Sequence, residues 1–308
     1  LISTLAILLL VSLAWFNGAN DTGKGVATLA CTGELSGSRA LGYGVAATFA
    51  GAMCALLWGQ ALAIRFSGKG LVPDEVASAP VFLLAAGMGA VITVAAATGL
   101  RYPISTSHAL LGGLVGAGLQ SGADLNEAAL VGKFLAPLLL SPVIAFGLAW
   151  AIGRWNTSST RSMHLFAGGA VSFARGFNDA PKIAAFSLLV PAVGLRSGTA
   201  LVAVAMGAGG WLAGRSLAQR VSTDVCGCTP AQGCGANWVS AALVIAHSPL
   251  GLPVSTTHVT LGAVAGAGTA GDRLDRKLFG SFLLAWAVTL PIAALFSLLA
   301  SKLIGNWI

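Results

Sequence analysis

The stretch "PISTSHALLGGLVGAG", Pro103 to Gly118, recurs without a gap as "PVSTTHVTLGAVAGAG", Pro253 to Gly268, identical at nine of sixteen positions. A second pair lies upstream of each copy. "NGANDTGKG", Asn17 to Gly25, is answered by "ARGFNDAPKI", Ala174 to Ile183, with Gly-x-Asn-Asp-x-x-Lys in common. Asp21 and Asp179 are 158 residues apart and Pro103 and Pro253 are 150 apart, in the same order, so one duplication accounts for both pairs. The copies meet near the polar stretch "GRWNTSSTRSMH", Gly153 to His164. This predicts a first repeat over 1–153, a linker over 154–162 and a second repeat over 163–308, all within one membrane domain.

Composition fixes the setting. The chain has 308 residues, 56% apolar and 9% charged, with a mean hydropathy of +0.84. Soluble domains carry about 25% charged residues, and a bilayer crossing needs about 20 mostly apolar ones. The chain is therefore read as polytopic, with about nine to eleven crossings, some short or broken. The opening run "LISTLAILLLVSLAWF" lacks a basic start and leads into a charged motif, so it reads as a first transmembrane helix and not a leader. The net charge of +7 is what cytoplasmic loops of such a protein collect, and nothing points to nucleic acid. Many of the 41 glycines fall at small-xxx-small spacing, which allows close helix packing. The expected fold is an all-α polytopic membrane protein. Its two homologous repeats are expected to be inverted, with discontinuous or re-entrant helices meeting at a midplane site.

The motifs carry chemistry that suits such a site. Pro103 and Pro253 fit the first turn of a helix, and "GLRY" interrupts the apolar run ahead of Pro103. Helices starting there would present Ser105, Thr106 and Ser107, and in the other half Ser255, Thr256 and Thr257, together with unpaired backbone N–H groups. That is an anion-binding arrangement. The alternative is that these hydroxyls cap or back-bond within their helices. His108 and His258 close the motifs, as gating or proton-transfer groups or as partners of nearby backbone.

Asp21 and Asp179 would be costly in a membrane without a function. With Asn20 and Asn178 beside them they form a hard-oxygen set of the kind that alkali cations take, and taken alone they specify sodium. Lys24 and Lys182 follow three residues after each Asp, on the same helix face. They either neutralise the carboxylates or also face an anion. Arg175 is an unmatched charge, a substrate ligand or, as the preferred reading, a residue snorkelling to the interface. Cys31 and Cys54 stand alone, whereas Cys226, Cys228 and Cys234 cluster in "DVCGCTPAQGC", an incomplete set for zinc.

These motifs resemble those of the inorganic phosphate transporter family, the PiT-type anion permeases, with duplicated Gly-Ala-Asn-Asp and Pro-[Val/Ile]-Ser-Thr-Thr-His signatures. The resemblance covers nearly the whole chain. It implies a secondary transporter of the plasma (inner) membrane that moves phosphate with sodium or protons, and no cofactor. It assigns Asn20, Asp21, Asn178 and Asp179 to the cation and Ser105, Thr106, Ser107, Ser255, Thr256 and Thr257 to the anion. The implied partners are inorganic phosphate, sulfate or arsenate, the lipid bilayer and, as one option, a second copy in a homodimer.

One departure matters. The family motif usually continues Gly-Ala-Asn-Asp-Val-Ala-Asn, whereas Lys24 and Lys182 replace the second Asn here. Two Asp and two Lys sum to zero formal charge, so proton coupling is expected over sodium. The rival readings are a sulfate or other tetrahedral-oxyanion permease, against which Asp21 or Asp179 would accept the proton that phosphate carries and sulfate lacks, and, remotely, an intramembrane phosphatase or phosphotransferase. The latter would need an asymmetric nucleophile–base set; the paired groups argue for a transporter and not an enzyme.

Overall fold

A computed structural model describes residues 1–155, 158–225, 228–270 and 276–305 of the chain. Residues 156–157 of the expected linker, and Cys226, lie outside the described residues. The first repeat runs α1 (Ile2–Cys31), α2 (Gly37–Trp58), the short α3 (Gln60–Arg65) and α4 (Asp74–Ser78), α5 (Pro80–Gly99), α6 (Thr106–Gln120), and α7 (Glu127–Ala129). A π-helical turn at Leu130–Leu135 then leads into α8 (Ala136–Trp155). The second runs α9 (Arg161–Ala184), a 3₁₀ turn at Ala185–Leu189, α10 (Gly194–Ala213), α11 (Arg215–Val225), α12 (Pro230–His247), α13 (Thr256–Ala270) and α14 (Arg276–Gly305). The described residues form no strand.

Among the described residues, five helical stretches are long and apolar enough to cross a membrane: Ile2–Cys31, Gly37–Trp58, Pro80–Gly99, Glu127–Trp155 and Leu283–Ile304. A sixth is added if α10 and the start of α11, bent by 70°, count as one span. This is fewer than nine to eleven, for a physical reason. α9 is long enough but carries Arg175, Asp179 and Lys182, all buried. α6 and α13 have 15 residues each, and at 1.5 Å per residue reach about 22 Å, short of a hydrocarbon core of about 30 Å. Helices buried inside the bundle need not be apolar all round, so hydropathy undercounts the ones that carry chemistry.

The repeats pack reciprocally. α1 lies on α10 while α9 lies on α2, and α6 lies on α14 while α13 lies on α8. Glycine decides each crossing. A Cβ on Gly18 or Gly209 would fall on the carbonyl of Met206 or Trp15, and the counterparts Gly176 and Gly51 meet Thr48 and Phe173 in the same way. Gly112 and Gly116 meet the carbonyls of Leu290 and Ala294, and Gly262 and Gly266 those of Pro142 and Phe146. Replacing Gly176 by Ala should therefore cost about 1–3 kcal/mol by forcing α2 and α9 apart. Gly147→Ala on α8, where nothing lies within 4 Å of the added methyl, should gain about 0.5–1 kcal/mol from helix propensity. Thermal unfolding of the two variants in detergent checks this, and equal shifts would refute the tight crossing.

Each half-helix is preceded by a break that repeats the other's geometry. α5 ends at Gly99, and Arg101 takes the left-handed conformation at φ 58°; in the second half Gly251 stands at the matching place with φ 66°. A left-handed residue is costless for Gly and strained for Arg, so this turn is held by what surrounds it. α6 starts at Thr106 with Ser105 as its cap, three places later than a proline at the first helical position would put it. Pro103 instead stiffens the extended approach, leaving the carbonyl of Ile104 free to point away from helix hydrogen bonding. That carbonyl becomes part of the site.

Candidate functional site

The two breaks bring both motif pairs together, with α1 and α9 running past the starts of α6 and α13. Four oxygens surround the three N–H donors of Lys24 Nζ: Asn20 Oδ1 at 2.9 Å, Ile104 O at 2.8 Å, Thr257 Oγ1 at 2.8 Å, and Asp21 Oδ1 in a short ion pair. Lys182 Nζ repeats the pattern with Asp179 Oδ1 at 3.3 Å, Val254 O at 2.8 Å and Ser107 Oγ at 2.7 Å. The Phe66 ring covers this second ammonium, its centroid 5.7 Å from Nζ. Each lysine thus takes a carboxylate and a backbone carbonyl from its own repeat and a hydroxyl from the other.

The carboxylates are equally enclosed. Thr106 Oγ1 donates to Asp21 Oδ2 at 3.5 Å, and Thr256 Oγ1 to Asp179 Oδ2 at 3.2 Å. Thr257 Oγ1 also lies 3.3 Å from Asp21 Oδ1. Asp21, Lys24, Asp179 and Lys182 are all 3% exposed or less, so their charges are balanced by each other and by these hydroxyls, not by water. A buried pair built this way does not by itself stabilise the fold, but removing one partner strands the other.

The amides lock the arrangement. Asn20 Nδ2 donates to Thr98 Oγ1 and Tyr102 O, both at 3.0 Å, and its Oδ1 also accepts from Ile104 N at 3.2 Å. Asn178 Oδ1 accepts from Ser248 Oγ at 3.1 Å, and its Nδ2 donates to Val254 O at 3.2 Å. Thr98 and Ser248 are 150 residues apart, the spacing of the proline motifs.

Not every expected residue joins this cluster. Ser105 Oγ accepts from His108 N at 3.1 Å and Ser255 Oγ from His258 N at 3.2 Å, the capping alternative for those two hydroxyls. His108 Nδ1 lies 3.0 Å from Ser105 Oγ, and the rings of His108 and His258 face each other with centroids 4.2 Å apart. They form the floor of an apolar cavity of about 580 Å³ between α6, α8, α13 and α14. The cysteines disperse: Cys234 is buried in α12, and Cys228 Sγ lies 3.9 Å from Cys31 Sγ at the end of α1. Among the described residues no three metal-ligating side chains converge.

Arg175 corrects an expectation. It does not snorkel; it is 2% exposed and donates through Nη2 to Thr22 Oγ1 at 3.1 Å and Thr48 Oγ1 at 3.0 Å, with Nη1 4.0 Å from Asp21 Oδ2. Asn17 is not among the residues the sequence reading points to, yet it is fully buried at the centre. Its Nδ2 donates to Asp21 Oδ2 and Thr106 Oγ1, both at 2.9 Å, and approaches Asp179 Oδ2 at 3.4 Å. The signal was available in the repeat spacing, since Asn17 and Arg175 are 158 residues apart, like the two aspartates. Extending the alignment past the identical residues finds both.

The sequence profile of the phosphate transporter family matches residues 17–160 and again 153–297. The chain belongs to the phosphate transporter family. Among its relatives, a probable low-affinity inorganic phosphate transporter of Rhizobium meliloti is 30% identical over 96% of this chain and 97% of its own length. One from Mycobacterium bovis is 29% identical over 91% of this chain and 72% of its own. A shorter match, 41% identical over 29% of this chain and 14% of the relative, is to a sodium-dependent phosphate transporter 2 of Xenopus tropicalis. The fold is that of a solved sodium-dependent phosphate transporter, with a TM-score of 0.85 over the whole of both chains at 19% identity. Family membership bears out the two homologous repeats and the reading as a multi-pass membrane transporter and not an enzyme.

Proposed function

We propose that this phosphate transporter family member moves inorganic phosphate across the plasma membrane, with Lys24 and Lys182 standing where its sodium-dependent relatives would need a mobile cation. The observation that carries the coupling is the coordination of the lysines. Carboxylate, amide oxygen, backbone carbonyl and hydroxyl converge on Lys24 Nζ, which is the oxygen set a hard alkali cation takes. An ammonium already occupies that point, so a sodium ion would have to enter against a fixed positive charge.

In this reading Thr106, Ser107, Thr256 and Thr257, at the N-terminal ends of two half-helices, are the groups that change partners when phosphate enters. Their hydroxyls now serve Asp21, Asp179 and the lysines, and helix N-termini favour the anion. Ser105 and Ser255 support by capping. The aspartates hold the lysines in the absence of substrate. Coupling is then to protons.

The test is uptake of labelled phosphate into proteoliposomes with sodium and pH gradients imposed separately. Uptake should respond to an inward proton gradient by severalfold and be indifferent to replacing sodium by potassium. Strong sodium dependence with no response to pH would overturn the coupling. Uptake of sulfate in preference to phosphate would overturn the substrate.

A further inference from the structure

Asn17 and Arg175 hold corresponding places in the two repeats but differ in kind. Their neighbours match across the repeats: Asp21 with Asp179, Lys24 with Lys182, Thr106 with Thr256. The near-symmetric site therefore becomes asymmetric at this pair, and both members carry unmet hydrogen-bonding capacity. Arg175 Nε and Nη1 are buried without a hydrogen-bond partner, and so is Asn17 Oδ1. The amide orientation of Asn17 is fixed by chemistry, because two of the three oxygens facing Nδ2 belong to carboxylates, which need a donor. Both residues also flank one atom: Asp21 Oδ2 is 2.9 Å from Asn17 Nδ2 and 4.0 Å from Arg175 Nη1.

A buried acceptor on one of these residues and two buried donors on the other, both residues flanking one carboxylate oxygen, call for a partner that arrives and leaves. A protonated tetrahedral oxyanion has both halves of what is missing. Its P–O⁻ oxygens accept from a guanidinium, which binds such groups in a fixed fork, and its P–OH donates. Sulfate offers acceptors only. The charges agree: with Asp21 and Asp179 negative and Lys24, Lys182 and Arg175 positive, the buried cluster sums to one positive charge, matched by a monoanion.

We propose that Arg175 and Asn17 are specificity-determining ligands that select the protonated, singly charged oxyanion, phosphate or arsenate, with Arg175 on P–O⁻ and Asn17 Oδ1 accepting from P–OH. This rests on the transport reading above and assigns the charge state of its substrate. The charged groups whose field reaches Arg175 are Asp21 and Lys24 on α1 and Asp179 on its own helix, and α2 meets it through the Thr48 hydroxyl. Glu34 and His164 pair near the start of α9, about three turns away.

The experiment is initial-rate phosphate uptake in proteoliposomes at mildly acidic and mildly alkaline pH, where the monoanion and the dianion respectively dominate, with arsenate and sulfate as competitors. For the wild type, KM expressed as monoanion should stay constant across pH, and arsenate but not sulfate should compete. Arg175→Asn, which places the residue of the first repeat in the second, should raise KM by roughly tenfold or more, and Arg175→Lys should recover part of that. A role in packing alone would shift the melting temperature without this KM change or its rescue. If Arg175→Asn does not fold, the wild-type pH and competition data and the Lys variant still decide. A KM that follows the dianion, sulfate competing as well as arsenate, or a KM indifferent to Arg175 each overturns this inference alone. Wild-type vesicles that take up no phosphate overturn the transport reading itself.

Discussion

Proteoliposomes carrying Lys24→Asn together with Lys182→Asn should take up phosphate only when sodium is present, with at least about tenfold stimulation over potassium. The substitution removes both ammonium groups and leaves the oxygens of Asp21, Ile104 and Thr257, and of Asp179, Val254 and Ser107, converging on vacated points. A buried carboxylate that loses its counter-charge costs about 3–5 kcal/mol. A bound alkali cation recovers much of that, and each 1.4 kcal/mol recovered corresponds to about tenfold in affinity. Sodium should also raise the melting temperature of the double variant while leaving the wild type unchanged, because a ligand that binds only the folded state stabilises it. That second readout does not depend on turnover. A double variant that remains indifferent to sodium in both measurements would show that the lysines do not occupy a cation position.

The second large effect is expected from Asp21→Asn. Lys24 then keeps its neutral partners but loses its carboxylate, and Asn17 and Thr106 lose the oxygen they share. The loss of about 3–5 kcal/mol is a large part of the stability of most domains, so folded yield should fall and phosphate uptake should drop more than about a hundredfold. Combining Asp21→Asn with Lys24→Gln removes both charges and should restore most of the stability, since a whole buried pair is often neutral to replace. It should not restore uptake. Recovery of transport in the neutral pair would mean that Asp21 serves only to balance Lys24.

The repeat, the membrane setting, the paired Asp and Lys and the hydroxyl motifs were legible because each is a local pattern. Composition reports the solvent, identical spacing reports duplication, and a three-residue interval reports a shared helix face. Arg175 shows where that reading failed. A lone arginine in a membrane helix has two physical options, and local sequence favours the interface. Only the crossing of α9 with α2, closed by Gly176 and Gly51, shuts it inside against Thr48 and Thr22. Asn17 escapes a local reading because an amide beside Gly-Ala-Asn-Asp looks like part of the motif's lead-in. Its value comes from reaching Asp21 and Asp179 at once, a contact between residues 162 positions apart.

By itself, the sequence determined that two copies of one membrane unit place an Asp–Lys pair and a hydroxyl-rich helix start in each half, since these follow from residue type and spacing. The tertiary structure alone decided which hydroxyl serves which charge. Thr257 reaches Lys24 and Ser107 reaches Lys182 across the repeat boundary, whereas Ser105 and Ser255 turn back to cap their own helices. Three adjacent hydroxyls at a helix start point in different directions, and the packing of the opposite repeat determines which of them meets an ion.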